Sequence, residues 1–170
     1  MACGPNVCSD LARGRSHGTI ISMRIYLDAC CLSRLTDDQT QRRVCQEAEA
    51  VEKILKQVRE DLIQWVSSDA LAEELGRNPH EGRKIDSIAL LALASETIET
   101  SGGIRSRARQ LQHAGYGPFD ALHLACAEAA HADVLLTTDD GLMRKASRGD
   151  GRPRVAVLNP LSWSQEDRYE

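Results

Sequence analysis

Residues 24–35 read RIYLDACCLSRL. A strand-like Ile-Tyr-Leu runs into one carboxylate, Asp28, with Cys30 and Cys31 close behind. An acid directly after a buried strand costs free energy unless it has a partner. What matters is therefore how the other apolar runs of the chain end. "DVLLTTDD" (133–140) closes on Asp139 and Asp140, and "LIQWVSS" (62–68) leads into "ALAEELGR" (70–77), which carries Glu73 and Glu74. "ETIET" (96–100) reads as a short strand and "PRVAVLNP" (153–160) as a fifth.

Helical stretches separate these runs. Val44, Ala48, Val51, Ile54, Leu55 and Val58 recur at helical spacing, giving an amphipathic helix over 41–58. Ser68 or Asp69 can cap the helix after the second strand, and Asn78-Pro79 ends it. "RKIDSIALLALAS" (83–95) is apolar almost all round and predicts a helix buried on several sides. "IRSRARQLQHAG" (104–115) is a basic helix, and "GPFDALHLACAEAAHA" (117–132) starts on Pro118. Strands alternating with helices imply βαβ crossovers: a three-layer α/β/α sandwich around a parallel sheet of about five strands.

The 170 residues suit one domain with a single core. Aromatics make up only 4%, so the core rests on Leu, Ile, Val and Ala. A net charge of −4 gives no global basic signature for nucleic acid, although a local patch suffices for steering. The six cysteines form no CxxC pair and no Cys/His zinc spacing, so they read as reduced thiols, with Cys30 and Cys31 as small apolar fillers. No apolar run reaches membrane-spanning length, and residues 1–22 lack the apolar stretch of a signal peptide. The chain thus reads as cytoplasmic and non-membrane. Residues 1–22 read as a flexible leader or start-site artefact, 23–163 as the domain and 164–170 as a polar tail.

Ligands of open parallel sheets collect beyond the carboxyl ends of the strands, near the point where strand order reverses. Asp28 and Asp139 fall at such ends. Glu74 shares a helix face with Ala70 and Leu71 better than Glu73 does, and Asp120 shares one with His123 and Leu124. Carboxylates gathered at one sheet edge repel, and a hard divalent cation neutralises them most simply. Oxygen ligands favour Mg²⁺ or Mn²⁺ over zinc, and one or two such ions suit hydrolysis of a phosphodiester. Taken singly the acids have plainer readings: Asp120 and Asp139 as helix caps, Glu73 and Glu74 as a solvated face. His123 reads as a packed helix histidine, placed to stand behind the acids rather than among them.

"YLDACCLSRL", "SSDALAEEL", "FDALHLACAEAAHADVLLTTDD" and the closing "VLNP" together resemble the PIN domain, over residues 23 to 163. The resemblance implies a Rossmann-like sandwich and a metal-dependent ribonuclease. For a small stand-alone chain it implies a VapC-like toxin of a toxin–antitoxin pair. It carries the metal-binding and catalytic roles to Asp28, Glu74, Asp120 and Asp139, with Asp140 as an additional or water-mediated ligand. Many members have Asn, Ser or Thr two residues after the first Asp; here that position is Cys30, and Ser33 is the nearest polar residue in the following turn. Ser33, Thr138, Arg144 and Lys145 are the candidates for substrate contact. Arg105, Arg107 and Arg109, with Arg148, Arg152 and Arg154 later in the chain, give a local basic asymmetry. The implied partners are an RNA substrate and a small antitoxin that offers an Arg to the acids. The 41–58 helix is a candidate docking or homodimer surface, with core packing the plainer reading. Two other classes remain open: a PIN fold that binds RNA or protein without cutting, and a phosphatase or receiver-like protein, for which "DACC" lacks a second acid.

Overall fold

The computed structural model describes residues 23–165. The expected leader (1–22) and the last five residues of the expected tail lie outside them. Strand β1 (Met23–Leu27) is followed by the short helix α1 (Ala29–Ser33) and the long helix α2 (Arg42–Arg59). Then come β2 (Ile63–Ser68), α3 (Asp69–Gly76), α4 (Glu81–Leu90), a 3₁₀ turn at Leu91–Leu93, and β3 (Glu96–Ile98). The second half runs α5 (Gly102–His113), α6 (Pro118–Ala129), β4 (Val134–Leu136), α7 (Asp140–Ser147), β5 (Ala156–Leu158) and α8 (Pro160–Gln165).

The five strands form one sheet in the order β3-β2-β1-β4-β5, and every pairing is parallel. Register sets which side chains share a face: Ile25 lies opposite Trp65 and Val134, and Tyr26 opposite Val66 and Leu135. Ile25 and Leu27 therefore point with Trp65, Val134 and Leu136 into a core closed by α1, α2 and Trp163 of α8. Tyr26 and Leu135 point the other way, against α5 and α6. Because both faces are covered, β4 and the Ile25–Leu27 part of β1 are apolar on both faces rather than alternating. The apolar stripe of α2 (Val44, Ala48, Val51, Ile54, Leu55, Val58) is core-facing.

Capping explains where the helices begin. Ser68 accepts from the Leu71 amide at 3.1 Å to start α3, and Ser101 accepts from the Ile104 amide at 3.3 Å to start α5. Pro118 opens α6, where its missing N–H has no cost.

One helix departs from expectation. Only Ser87 of α4 is buried, while Ile85 and Ile88 are 58% and 40% exposed. Lys84, Asp86 and Ser87 break the apolar run, and α4 packs outside α1 and α3, so only one side has a neighbour. Leu90, Leu91 and Leu93 at its end do reach the core. At the C-terminal end of the described residues α8 runs to Gln165, anchored by the buried Trp163.

Candidate active site

Strand order turns back between β1 and β4: the chain leaves β1 towards β2 and β3, then returns to place β4 and β5 on the other side. The Asp28 amide prolongs the ladder there by donating to the Leu136 carbonyl at 3.0 Å. Asp28 occupies the N-cap position of α1, yet its side chain makes no capping bond. Its carboxylate, 5% exposed, faces the crevice at the switch point. Asp28 Oδ2 accepts from the Thr137 hydroxyl at 2.7 Å and from the Cys30 thiol at 3.1 Å.

Glu74 and Glu73 separate as the helix face requires. Glu74 Oε2 lies 2.5 Å from His123 Nε2, whereas Glu73 pairs with Arg77 in solvent. His123 is fully buried, and its Nε2 is also 3.6 Å from Asp28 Oδ1. Its Nδ1 is 2.9 Å from the Tyr26 hydroxyl, which is 2.6 Å from the hydroxyl of Ser68. A buried polar chain thus runs from the α3 cap through β1 to the carboxylates, holding the imidazole's orientation. Burial alone would lower the pKa of His123; the Glu74 hydrogen bond and the Asp28 charge outweigh it and raise the pKa. Burial raises the Tyr26 phenol well above its ordinary value, so it stays a neutral hydroxyl.

Asp28, Glu74 and His123 each turn one donor atom to a common point, all within 4.8 Å of one another. Asp120 and Asp139 stand beside that group rather than in it. Asp120 is half-buried, and its pKa is raised by burial and by the charges of Asp28 and Asp139. Asp139 caps α7: its Oδ1 accepts from the Gly141 and Leu142 amides at 2.6 and 3.0 Å. A Cβ at Gly141 would lie 2.9 Å from that oxygen, so a larger residue there would make the Asp139 carboxylate shift. Asp140 turns elsewhere, into a two-pronged pair with Arg43 at 2.7 Å for each contact.

The donor chemistry fits a divalent cation. Two carboxylates converge with two more nearby, and Asp120 registers the uncompensated negative charge. His123 stands behind them: fully buried, its Nε2 bonds Glu74 and so supports the carboxylates rather than adding to the oxygen ligands.

The remaining candidates divide. Ser33 lines a cleft beside Cys30 and Glu74. Thr138 is 5% exposed; its amide donates to Cys30 Sγ at 3.2 Å, and its hydroxyl has no partner among the described residues. Arg144 is exposed on α7, while Lys145 turns to the Gly115 carbonyl and lies 5.8 Å from the Tyr116 ring centre. Much of the basic asymmetry is spent internally. Arg107 and Arg154 pair with the buried Glu128, and Arg148 pairs with Asp150.

Cys31 is the expected filler, fully buried with its thiol against the Leu136 carbonyl. Cys30 is not. Its thiol sits between Asp28, Thr137 and the Thr138 amide, the place a hydroxyl would take. The missed residues are Cys30, Thr137 as a holder of Asp28, and Arg43; His123 is the packed helix histidine that its spacing from Asp120 suggested, placed behind Glu74.

A parallel five-stranded α/β/α sandwich with acids at its switch point defines the class. The PIN domain family model matches residues 25–148, and the chain belongs to that family. No curated protein matches it. Among solved structures it is similar to a chain of the crystal structure of VapBC2 from Rickettsia felis bound to a DNA fragment from their promoter. The two are 13% identical with a TM-score of 0.55, covering 81% of this chain and 98% of that one. At that identity the likeness is one of fold.

Proposed function

We propose that this chain is a metal-dependent endoribonuclease that hydrolyses phosphodiester bonds of RNA and acts as the toxin of a toxin–antitoxin pair. The observation that carries the reading is the convergence of Asp28, Glu74 and His123 within 4.8 Å, flanked by Asp120 and Asp139. Membership of the PIN family supports nuclease chemistry, and the VapBC2 likeness makes an antitoxin partner the natural expectation. No helix of the described residues is long and apolar enough to cross a membrane, in keeping with a cytoplasmic protein.

In this reading Asp28, Glu74, Asp120 and Asp139 would hold Mg²⁺ or Mn²⁺, which would supply charge neutralisation at the scissile phosphate and a lowered pKa for an attacking water. The protein's own contribution is orientation. Thr137 and Cys30 both donate to Asp28 Oδ2, which leaves Oδ1 on the side of His123 Nε2, 3.6 Å away. His123 fixes Glu74 from behind, and Tyr26 fixes His123. The thiol of Cys30 supplies a polar contact to Asp28 at the position where many relatives have Asn, Ser or Thr.

The test is cleavage of end-labelled single-stranded RNA by antitoxin-free protein in Mg²⁺, Mn²⁺ or EDTA, alongside Asp120→Asn. Metal-dependent cutting that disappears in the variant is expected. Well-folded protein that cuts no RNA in either metal would refute the nuclease reading.

A further inference from the structure

We propose that the cleft between α1 and the end of α3 binds a nucleobase next to the scissile phosphate, stacked on the guanidinium of Arg77 with Phe119 behind it. The proposal rests on the ribonuclease reading and extends it to how substrate is gripped.

The cleft holds about 410 Å³ and is lined by Cys30, Ser33, Arg34, Glu74, Arg77 and Asn78 among others. Small-ligand sites occupy roughly 300–1,000 Å³, so a nucleoside fits. Two of these residues belong to the candidate active site: Glu74 bonds His123, and Cys30 bonds Asp28. A ligand in the cleft is therefore beside the carboxylates, one step along the strand from a phosphate held there.

Arg77 and Phe119 make the platform. The Arg77 guanidinium carbon lies 4.9 Å from the centre of the Phe119 ring, and Phe119 in turn stacks on His123 at 6.1 Å and 24°. The arrangement is a short stack, imidazole to phenyl to guanidinium, rising from the buried site to the cleft wall. Phe119 is the chain's one phenylalanine, and it is held one residue from Asp120. Aromatic faces and guanidinium planes are the surfaces on which single-stranded bases stack, without needing sequence readout.

The polar contacts suit the same ligand. Arg77 is 64% exposed, and its ion pair with Glu73 is exposed too, so it is loosely held and open to an incoming base. Asn78 accepts from the His80 amide through Oδ1, which leaves its NH₂ as the donating end. Arg77 places positive charge on the cleft wall beside an acidic centre that would otherwise repel a polyanion, while the charge of Arg34 is met by Glu47 and Asp37.

The experiment uses the full chain. Binding of a 5′-labelled single-stranded RNA pool is read by anisotropy in an Asp120→Asn background that does not cut. kcat and KM are measured with Asp120 intact. Phe119→Leu and Arg77→Ala should each weaken binding about tenfold and raise KM more than they lower kcat. Phe119→Tyr should restore binding, and Arg77→Lys should not, because it keeps the charge and loses the plane. Mn²⁺ affinity of Arg77→Ala, measured by calorimetry, should match wild type, since Arg77 pairs with Glu73 and the Phe119 ring and not with the carboxylates of the centre. RNA binding and KM within twofold of wild type in both Phe119→Leu and Arg77→Lys, in a protein that cuts RNA, would overturn the stacking site alone. Wild-type protein that neither binds nor cuts RNA would overturn the nuclease reading and the stacking site with it.

Discussion

Thr137→Val separates a site-building role from strand propensity. Valine matches threonine in shape and is the better strand former, so on propensity alone the change is neutral or mildly stabilising. The structure predicts the opposite. The buried hydroxyl donates to Asp28 Oδ2 at 2.7 Å and accepts from the Asp139 amide at 3.1 Å. A hydrogen bond to a charged group contributes about 1.5–3 kcal/mol and a neutral one about 0.5–1.5 kcal/mol. Cys30, already 3.1 Å from the same oxygen, offsets part of the loss. A net cost of about 2 kcal/mol follows, which lowers Tm by about 4–8 °C for a domain of this size. The assay is urea and thermal unfolding in EDTA, run as a double-mutant cycle with Asp28→Asn. In the Asp28→Asn background the hydroxyl faces a neutral amide, so the cost should fall to about 1 kcal/mol, a coupling of about 1 kcal/mol. A Thr137→Val cost under about 0.5 kcal/mol, or an equal cost in both backgrounds, would refute the role assigned to Thr137.

Three further outcomes are expected. Glu47, 1% exposed, accepts from Arg34, Arg43 and Asn159 at 2.7–2.9 Å. Glu47→Gln should cost about 2–3 kcal/mol by denaturation at pH 7, below the full value for a buried pair because both arginines can rehydrate. Burial alone would raise the Glu47 pKa, but Arg43, Asn159 and Arg34 outweigh it and lower it. Its contribution is therefore present above the unfolded value near 4.5 and lost as pH falls through the lower folded value. The stability gap between wild type and Glu47→Gln should narrow on acidification below about pH 4.5. His123 has a raised pKa, so its contribution in metal-free protein is full below the unfolded value near 6.5 and lost as pH rises through the folded one. Thermal melts in EDTA should show wild-type Tm falling above pH 6.5, with a flatter profile in His123→Gln; matching profiles would refute the His123 assignment. Finally, Mn²⁺ at about a hundred times its Kd should stabilise the protein by about 2.7 kcal/mol, and Asp28→Asn should abolish most of that shift.

The strands were legible because each apolar run ends on a polar residue, and the acids of Asp28 and Asp139 mark two carboxyl ends. The face of Glu74 followed from helical spacing alone. What stayed hidden depends on contacts far apart in sequence. Arg43 meets Asp140 across 97 residues, and Thr137 meets Asp28 across 109. Local pattern carries no trace of such pairings. Cys30 was misread for a related reason: a thiol looks apolar in composition, and its role appears only once Asp28, Thr137 and Thr138 surround it. The burial of α4 was overestimated because composition records how apolar a helix is, not how many neighbours it has. The basic stretches gave the same lesson in charge, since Glu128 absorbs two of their arginines.

The most direct measurement is anomalous diffraction from crystals soaked in Mn²⁺, with Asp120→Asn as the control. The account predicts a peak at the β1–β4 switch point, bound by Asp28 and Glu74 with Asp120 and Asp139 beside it, and weakened in the control. An ion held elsewhere, or a peak indifferent to Asp120→Asn, would contradict the assignment of the converging carboxylates as the catalytic metal centre.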